Sequence, residues 1–191
     1  ENFKKAINLN PEDADAYYNL GLLYLNNEKI EEAIQNFVKA SELKNNDADC
    51  YYNLAQAFLI QKKYQEAFDY FNKAIEIQPN NVDYLLDLAI AYDTKSDSSG
   101  MMADIDQAMH AFENVLKVDR SNEEAFYRIA ICYAKKGQWE DSVKYCKKVI
   151  EINPNSAKAH NQFGLALYCR GDIDTAIVMY KKAITLNSGY S

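Results

Sequence analysis

The chain has 191 residues, a formal net charge of −7 and a pI near 4.9, which argues against nucleic acid or an anionic membrane as its main partner, because phosphate binding needs a basic footprint. No apolar run approaches the roughly 18–20 residues of a membrane span, and Glu1-Asn2-Phe3 does not open a signal peptide. Gly 6 and Pro 3 are low beside a hydrophobic fraction of 48%, and the unbroken helical periods make the expected class all-α.

Residues Asn2 to Asn10 read as one helix, in which Phe3 and Ala6 anticipate Phe37 and Ala40, and Pro11 closes it. Next, Tyr17, Leu20, Gly21 and Tyr24 fall at i, i+3, i+4 and i+7, one stripe of a 3.6-residue helix, and Ala33, Phe37 and Ala40 form the stripe of a second. A shift of 34 residues returns the set as Tyr51, Leu54, Ala55, Phe58, Ala67, Phe71 and Ala74, so one helix-turn-helix unit is written out repeatedly. Small residues let backbones approach while aromatic ones fill the gaps beside them. Polar turns such as Pro11-Glu12-Asp13 and Pro79-Asn80-Asn81 stop one helix and start the next.

The third unit keeps Leu85, Leu88, Ala89 and Tyr92 on schedule, yet Ala108, Phe112 and Val115 arrive seven residues late. The extra length lies near Asp93 to Asp104, and a longer surface loop with helical ends is the expected form. The fourth unit keeps Phe126, Ile129, Ala130 and Tyr133 but substitutes Ser142 and Cys146 in its second helix. The fifth keeps Phe163, Gly164, Ala176, Tyr180 and Ala183 and places His160 where the others have a large apolar residue. Five units from Ala14, Ala48, Val82, Glu123 and Ala157 follow a half unit, giving a single array: half repeat 1–13, then 14–47, 48–81, 82–122 with its insertion, 123–156 and 157–190.

This pattern of a large residue, Leu, Gly or Ala, an aromatic, then Ala, an aromatic, Ala and Pro resembles the tetratricopeptide repeat family over nearly the whole chain. The resemblance implies an all-α α-solenoid of antiparallel helix pairs in a right-handed superhelix, with first helices lining an inner groove. The groove residues it implies are Asp15, Tyr18, Asn19, Asp49, Tyr52, Asn53, Gln56, Asp83, Asp87, Tyr127, Arg128 and Gln162. Their chemistry suits a peptide: amides offer donor and acceptor to a backbone, tyrosines pack side chains, and the carboxylates favour a basic or aromatic-containing segment.

The implied function is a non-catalytic scaffold in the cytoplasm, ahead of the nucleus, binding a protein or peptide as part of a larger protein or assembly. One alternative is the substrate-recruiting array of an O-linked N-acetylglucosamine transferase-like enzyme, with its catalytic domain elsewhere. Another is a self-assembling array, joined through uncapped terminal helices near Phe3 and Ile7 and near Ile177, Tyr180 and Ile184. Co-chaperone members grip an acidic C-terminus with Lys, Asn and Arg, whereas Asp83 and Asp87 stand where such a clamp needs its last cations. No catalytic constellation, metal-ligand spacing or cofactor-binding loop is present: His110 and His160 lie in different units, and Glu31-Glu32 and Glu123-Glu124 sit at helix starts that welcome negative charge. Cys50, Cys132, Cys146 and Cys169 make no C-x-x-C pair and read as reduced packing residues.

Overall fold

A computed structural model describes residues 2–188 and contains, among them, helices and no strand. The helices are α1 (Asn2–Leu9), α2 (Ala14–Asn26), α3 (Ile30–Leu43), α4 (Ala48–Ile60), α5 (Tyr64–Ile77), α6 (Val82–Ser99), α7 (Met102–Val118), α8 (Glu123–Lys135), α9 (Trp139–Ile152), α10 (Ala157–Cys169) and α11 (Ile173–Ser188). They fall into two compact units, Glu1–Ala91 and Tyr92–Ser191.

In the first unit α1 packs on α2, α2 on α3, α3 on α4 and α4 on α5. Each of its first helices is started by a side chain that satisfies an orphan amide. Asp13 accepts from the Ala16 N–H at 3.0 Å and Asp47 from Cys50 at 3.1 Å. At Asp47 burial pushes the carboxyl pKa up, but bonds from Lys44 and the Cys50 amide outweigh it and leave the pKa lowered. The interior alternates small against large. A Cβ at Gly21 would lie 2.7 Å from the Phe37 ring, so the glycine provides the ring's space. Ala33, Phe37, Ala40, Cys50 and Leu54 close into one buried cluster.

Helices pair through a repeated tight turn. Glu28 (φ 59°) and Lys62 (φ 58°) take up the left-handed conformation that Gly137 (φ 71°) and Gly171 (φ 91°) occupy in the second unit. A side chain there costs about 1–2 kcal/mol against glycine. The backbone bonds that follow, Lys29 N–H to Tyr24 O at 2.9 Å and Lys63 N–H to Phe58 O at 3.0 Å, hold the turn in spite of it.

In the second unit α7 packs on α8, α8 on α9, α9 on α10 and α10 on α11. The substitutions at Ser142 and His160 are accommodated by local bonds. Buried Ser142 donates to the Ala130 carbonyl at 2.8 Å, and buried His160 places Nε2 3.0 Å from the Pro154 carbonyl.

The insertion departs from the expected loop. It lengthens the helices on either side, α6 to 18 residues and α7 to 17, and leaves only Gly100 (φ 66°) and Met101 between them. Charged contacts accompany the lengthening. Asp93, 2% exposed, accepts from Lys135 Nζ at 2.6 Å and Arg128 Nη1 at 3.1 Å, and Lys135 also bridges Asp97 at 2.6 Å. Lys95 and Ser99 both bond Asp104, at 2.9 and 2.6 Å. Of these groups, Lys95, Asp97, Ser99 and Asp104 belong to the added turns, and their pairing ties the extension to α8 and across the Gly100-Met101 link.

The four cysteines are free thiols: Cys50, Cys132 and Cys146 are buried and Cys169 is exposed. Burial pushes each of the buried three up to about 12, far above working pH, and the thiolate is the reactive form. Native protein titrated with a chromogenic disulfide at pH 8 is therefore expected to release one equivalent rapidly and the other three only after denaturant. Two or more fast equivalents would mean that the buried thiols open readily.

Candidate protein-binding surface

The second residues of the first helices are Asp15 in α2, Asp49 in α4, Asp83 in α6, Glu124 in α8 and Lys158 in α10. The position is chemically natural for acid, because a helix start carries partial positive charge. Asp15, Asp49 and Asp83 are exposed, while Tyr18, Tyr52, Asn19, Asn53, Gln56 and Asp87 are half-buried on the same face of the first unit.

These side chains form bonds from one helix to the next. Asn53 Nδ2 donates to the Tyr18 hydroxyl at 3.1 Å. The Tyr52 hydroxyl and Gln56 Nε2 both donate to Asp87 Oδ2, each at 2.6 Å, and the Tyr84 hydroxyl donates to Asp49. Tyr52 and Tyr84 stack with centroids 4.9 Å apart, and Tyr52 meets the Phe71 ring edge-on at 5.9 Å. Burial, then the bond to Asp87, pushes the Tyr52 phenol up to about 12, so it stays a donor.

The amide row works differently from its sequence reading. Asn53 Nδ2 also donates to the Asp49 carbonyl at 2.8 Å, which uses both its hydrogens, and Asn19 Nδ2 donates to the Asp15 carbonyl at 2.7 Å. What Asn53 still offers outward is its carbonyl oxygen alone. Together with Asp15, Asp49, Asp83 and Asp87, this makes the surface one that mainly accepts hydrogen bonds.

In the second unit the equivalent face is neutralised from within. Arg128 Nε bonds Glu124 at 2.6 Å while Nη1 bonds Asp93. Burial pulls the Arg128 pKa down, but Glu124 and then Asp93 outweigh it and raise it. Lys158 pairs with Glu124 and stands 4.7 Å above the Tyr127 ring. Gln162 is 8% exposed; α10 packs against α8, α9 and α11, and this amide is not displayed with Asn19 and Asn53. Arg128 and Tyr127 are thus already engaged.

Charge separates the two halves of the sequence. Residues 1–91 carry 15 Asp and Glu against 8 Lys, the whole −7, while residues 92–191 balance at 13 of each sign. Counting charge by half would have pointed to the first unit. Among the described residues no group of His, Cys, Asp and Glu is placed to hold a metal, and no helix is long and apolar enough to cross a membrane.

Comparison with known proteins places the chain in a family. Residues 12–80, residues 123–156, and residues 70–109 with 145–178 match three tetratricopeptide repeat models. Heat shock protein STI1 of Saccharomyces cerevisiae is 26% identical over 98 residues, 51% of this chain but only 17% of the yeast protein's length. The Schizosaccharomyces pombe sti1 homolog is 27% identical over 90 residues, 47% of this chain and 15% of its own. Among solved structures, YrrB, described as a TPR protein with an unusual peptide-binding site, is 26% identical, with TM-score 0.74 over 97% of this chain and 92% of its own. MamA from Desulfovibrio magneticus RS-1 is 20% identical, with TM-score 0.79 over 92% of this chain and 96% of its own. With the helix pairs and the phased small and aromatic residues, these matches establish that the fold is an all-α α-solenoid and that the chain belongs to the tetratricopeptide repeat family.

Proposed function

We propose that the chain is a non-catalytic interaction scaffold that holds a basic protein segment against the first-helix face of residues 1–91. The observation that supports this most is the inventory of that face. Its exposed carboxylates and the Asn53 carbonyl are hydrogen-bond acceptors, and no lysine or arginine occurs among the first-helix residues 14–26 or 48–60 or in residues 82–91. A partner must therefore bring donors and positive charge. The likeness to YrrB, whose structure carries a peptide-binding site, makes a peptide the natural form of that partner.

The test uses labelled twelve-residue peptides of basic, neutral and acidic composition, followed by fluorescence anisotropy. Basic peptides are expected to bind most tightly and to weaken with salt. A triple change, Asp49→Asn, Asp83→Asn and Asp87→Asn, keeps acceptors for Tyr84, Tyr52 and Gln56 while removing three charges, and should weaken binding about tenfold or more. Equal affinity for acidic and basic peptides, or no effect of the triple change, would overturn the proposal.

A further inference from the structure

The repeats can be compared with one another at one place: the seat formed by the second and fifth residues of a first helix together with the second and third residues of the next. In α8 and α10 the seat consists of Glu124, Tyr127, Lys158 and Ala159, and it is full. The Lys158 ammonium pairs with Glu124 and lies 4.7 Å over the Tyr127 ring. In α4 and α6 it consists of Asp49, Tyr52, Asp83 and Tyr84, and it is full in another way. Tyr84 reaches back, bonds Asp49 through its hydroxyl and covers the Tyr52 ring at 4.9 Å.

In α2 and α4 the same seat consists of Asp15, Tyr18, Asp49 and Cys50. Here the counterpart of Lys158 is a carboxylate, so no ammonium arrives from the next helix, and the counterpart of Tyr84 is Cys50, too short to cover a ring. The Cys50 thiol turns inward to the Phe37 carbonyl at 3.3 Å. The Asp15 side chain is 80% exposed, and Lys44 lies 3.8 Å from it while holding Asp47 at 2.8 Å. Tyr18 is fixed by Asn53 at its hydroxyl and by Phe37 at 5.9 Å, which orients its ring without help from a ligand.

We infer that the Asp15–Tyr18–Asp49 seat binds a lysine side chain of the partner segment, with its ammonium set against the ring and the carboxylates as Lys158 is set in the second unit. This rests on the basic-segment reading above and assigns one residue of the segment to one place. The chemistry is that of an ammonium over a tyrosine face beside opposite charge, each contact modest and both acting on one group.

The probe is the pentapeptide acetyl-Ala-Ala-Lys-Ala-Ala-amide, with norleucine in place of lysine as its uncharged control, followed by amide chemical shifts in nuclear magnetic resonance. The lysine peptide is expected to move the amides of residues 15–19 and 49–53, and the control peptide to leave them still. Asp15→Asn should weaken binding about two- to fivefold, whereas Glu76→Gln on α5 should not. Lys158→Ala empties the second-unit seat and should add a second set of shifts at residues 124–128. Shifts centred on residues 83–87 instead, an unaffected Asp15→Asn variant, or no new site in Lys158→Ala would each overturn the seat. If the pentapeptide fails while the basic twelve-residue peptides bind, the seat falls and the broader reading stands; if both fail, both fall.

Discussion

Phe37→Ala is expected to lower the unfolding free energy by about 3–5 kcal/mol. Phe37 is 0% exposed, and its ring fills the space left by Gly21, whose missing Cβ would sit 2.7 Å away. Its backbone carbonyl accepts the Cys50 thiol, and its ring meets that of Tyr18 with centroids 5.9 Å apart. Removing the ring leaves a cavity between rigid helices that can close only in part, which is why the cost exceeds the transfer energy of the lost carbons. Phe37→Leu, which keeps most of the volume, should cost less than half as much. Urea unfolding followed by circular dichroism measures both, and a loss below about 1 kcal/mol for the alanine variant would show that the site is not tightly closed.

The second large effect concerns Asp93. Its carboxylate is 2% exposed and held by Arg128 and Lys135. Replacing both cations, Arg128→Met with Lys135→Met, strands a buried charge and should destabilise by about 3–5 kcal/mol. Adding Asp93→Leu to that pair should restore most of the loss, because an apolar trio no longer carries an uncompensated ion. Thermal unfolding of the three proteins decides the matter. A triple variant no more stable than the double would mean that Asp93 is not paying a desolvation cost through its charge.

The stripe residues were legible because their spacing is set by helix geometry alone: Tyr17, Leu20, Gly21 and Tyr24 must share a face whatever surrounds them. The starts of the helices were legible for a similar reason, since Asp13, Asp47 and Asn122 are capping residues that act on amides three positions away. The bonds between neighbouring first helices were not. Tyr18 with Asn53 and Tyr52 with Asp87 are separated by 35 residues, and which atoms meet depends on how one helix is rotated against the next. The helical form of the insertion was hidden for the same reason. Ser96-Asp97-Ser98-Ser99-Gly100 has the composition of a loop, and its partners, Lys135 for Asp97 and Asp104 for Ser99, lie outside that stretch. At the candidate surface, residue types are readable in the sequence while hydrogen-bond direction is not: Asn53 carries both donor and acceptor, but both of its amide hydrogens are in use.

The unequal division of charge has an outcome in motion as well as in contact. With the entire surplus of seven negative charges in residues 1–91, the molecule is electrically lopsided. At low ionic strength it should meet an anion-exchange resin, or an oppositely charged protein, with its N-terminal half leading. That orientation would be earned during approach, before any surface is touched. It should fade as the screening distance shrinks to about 8 Å in physiological salt.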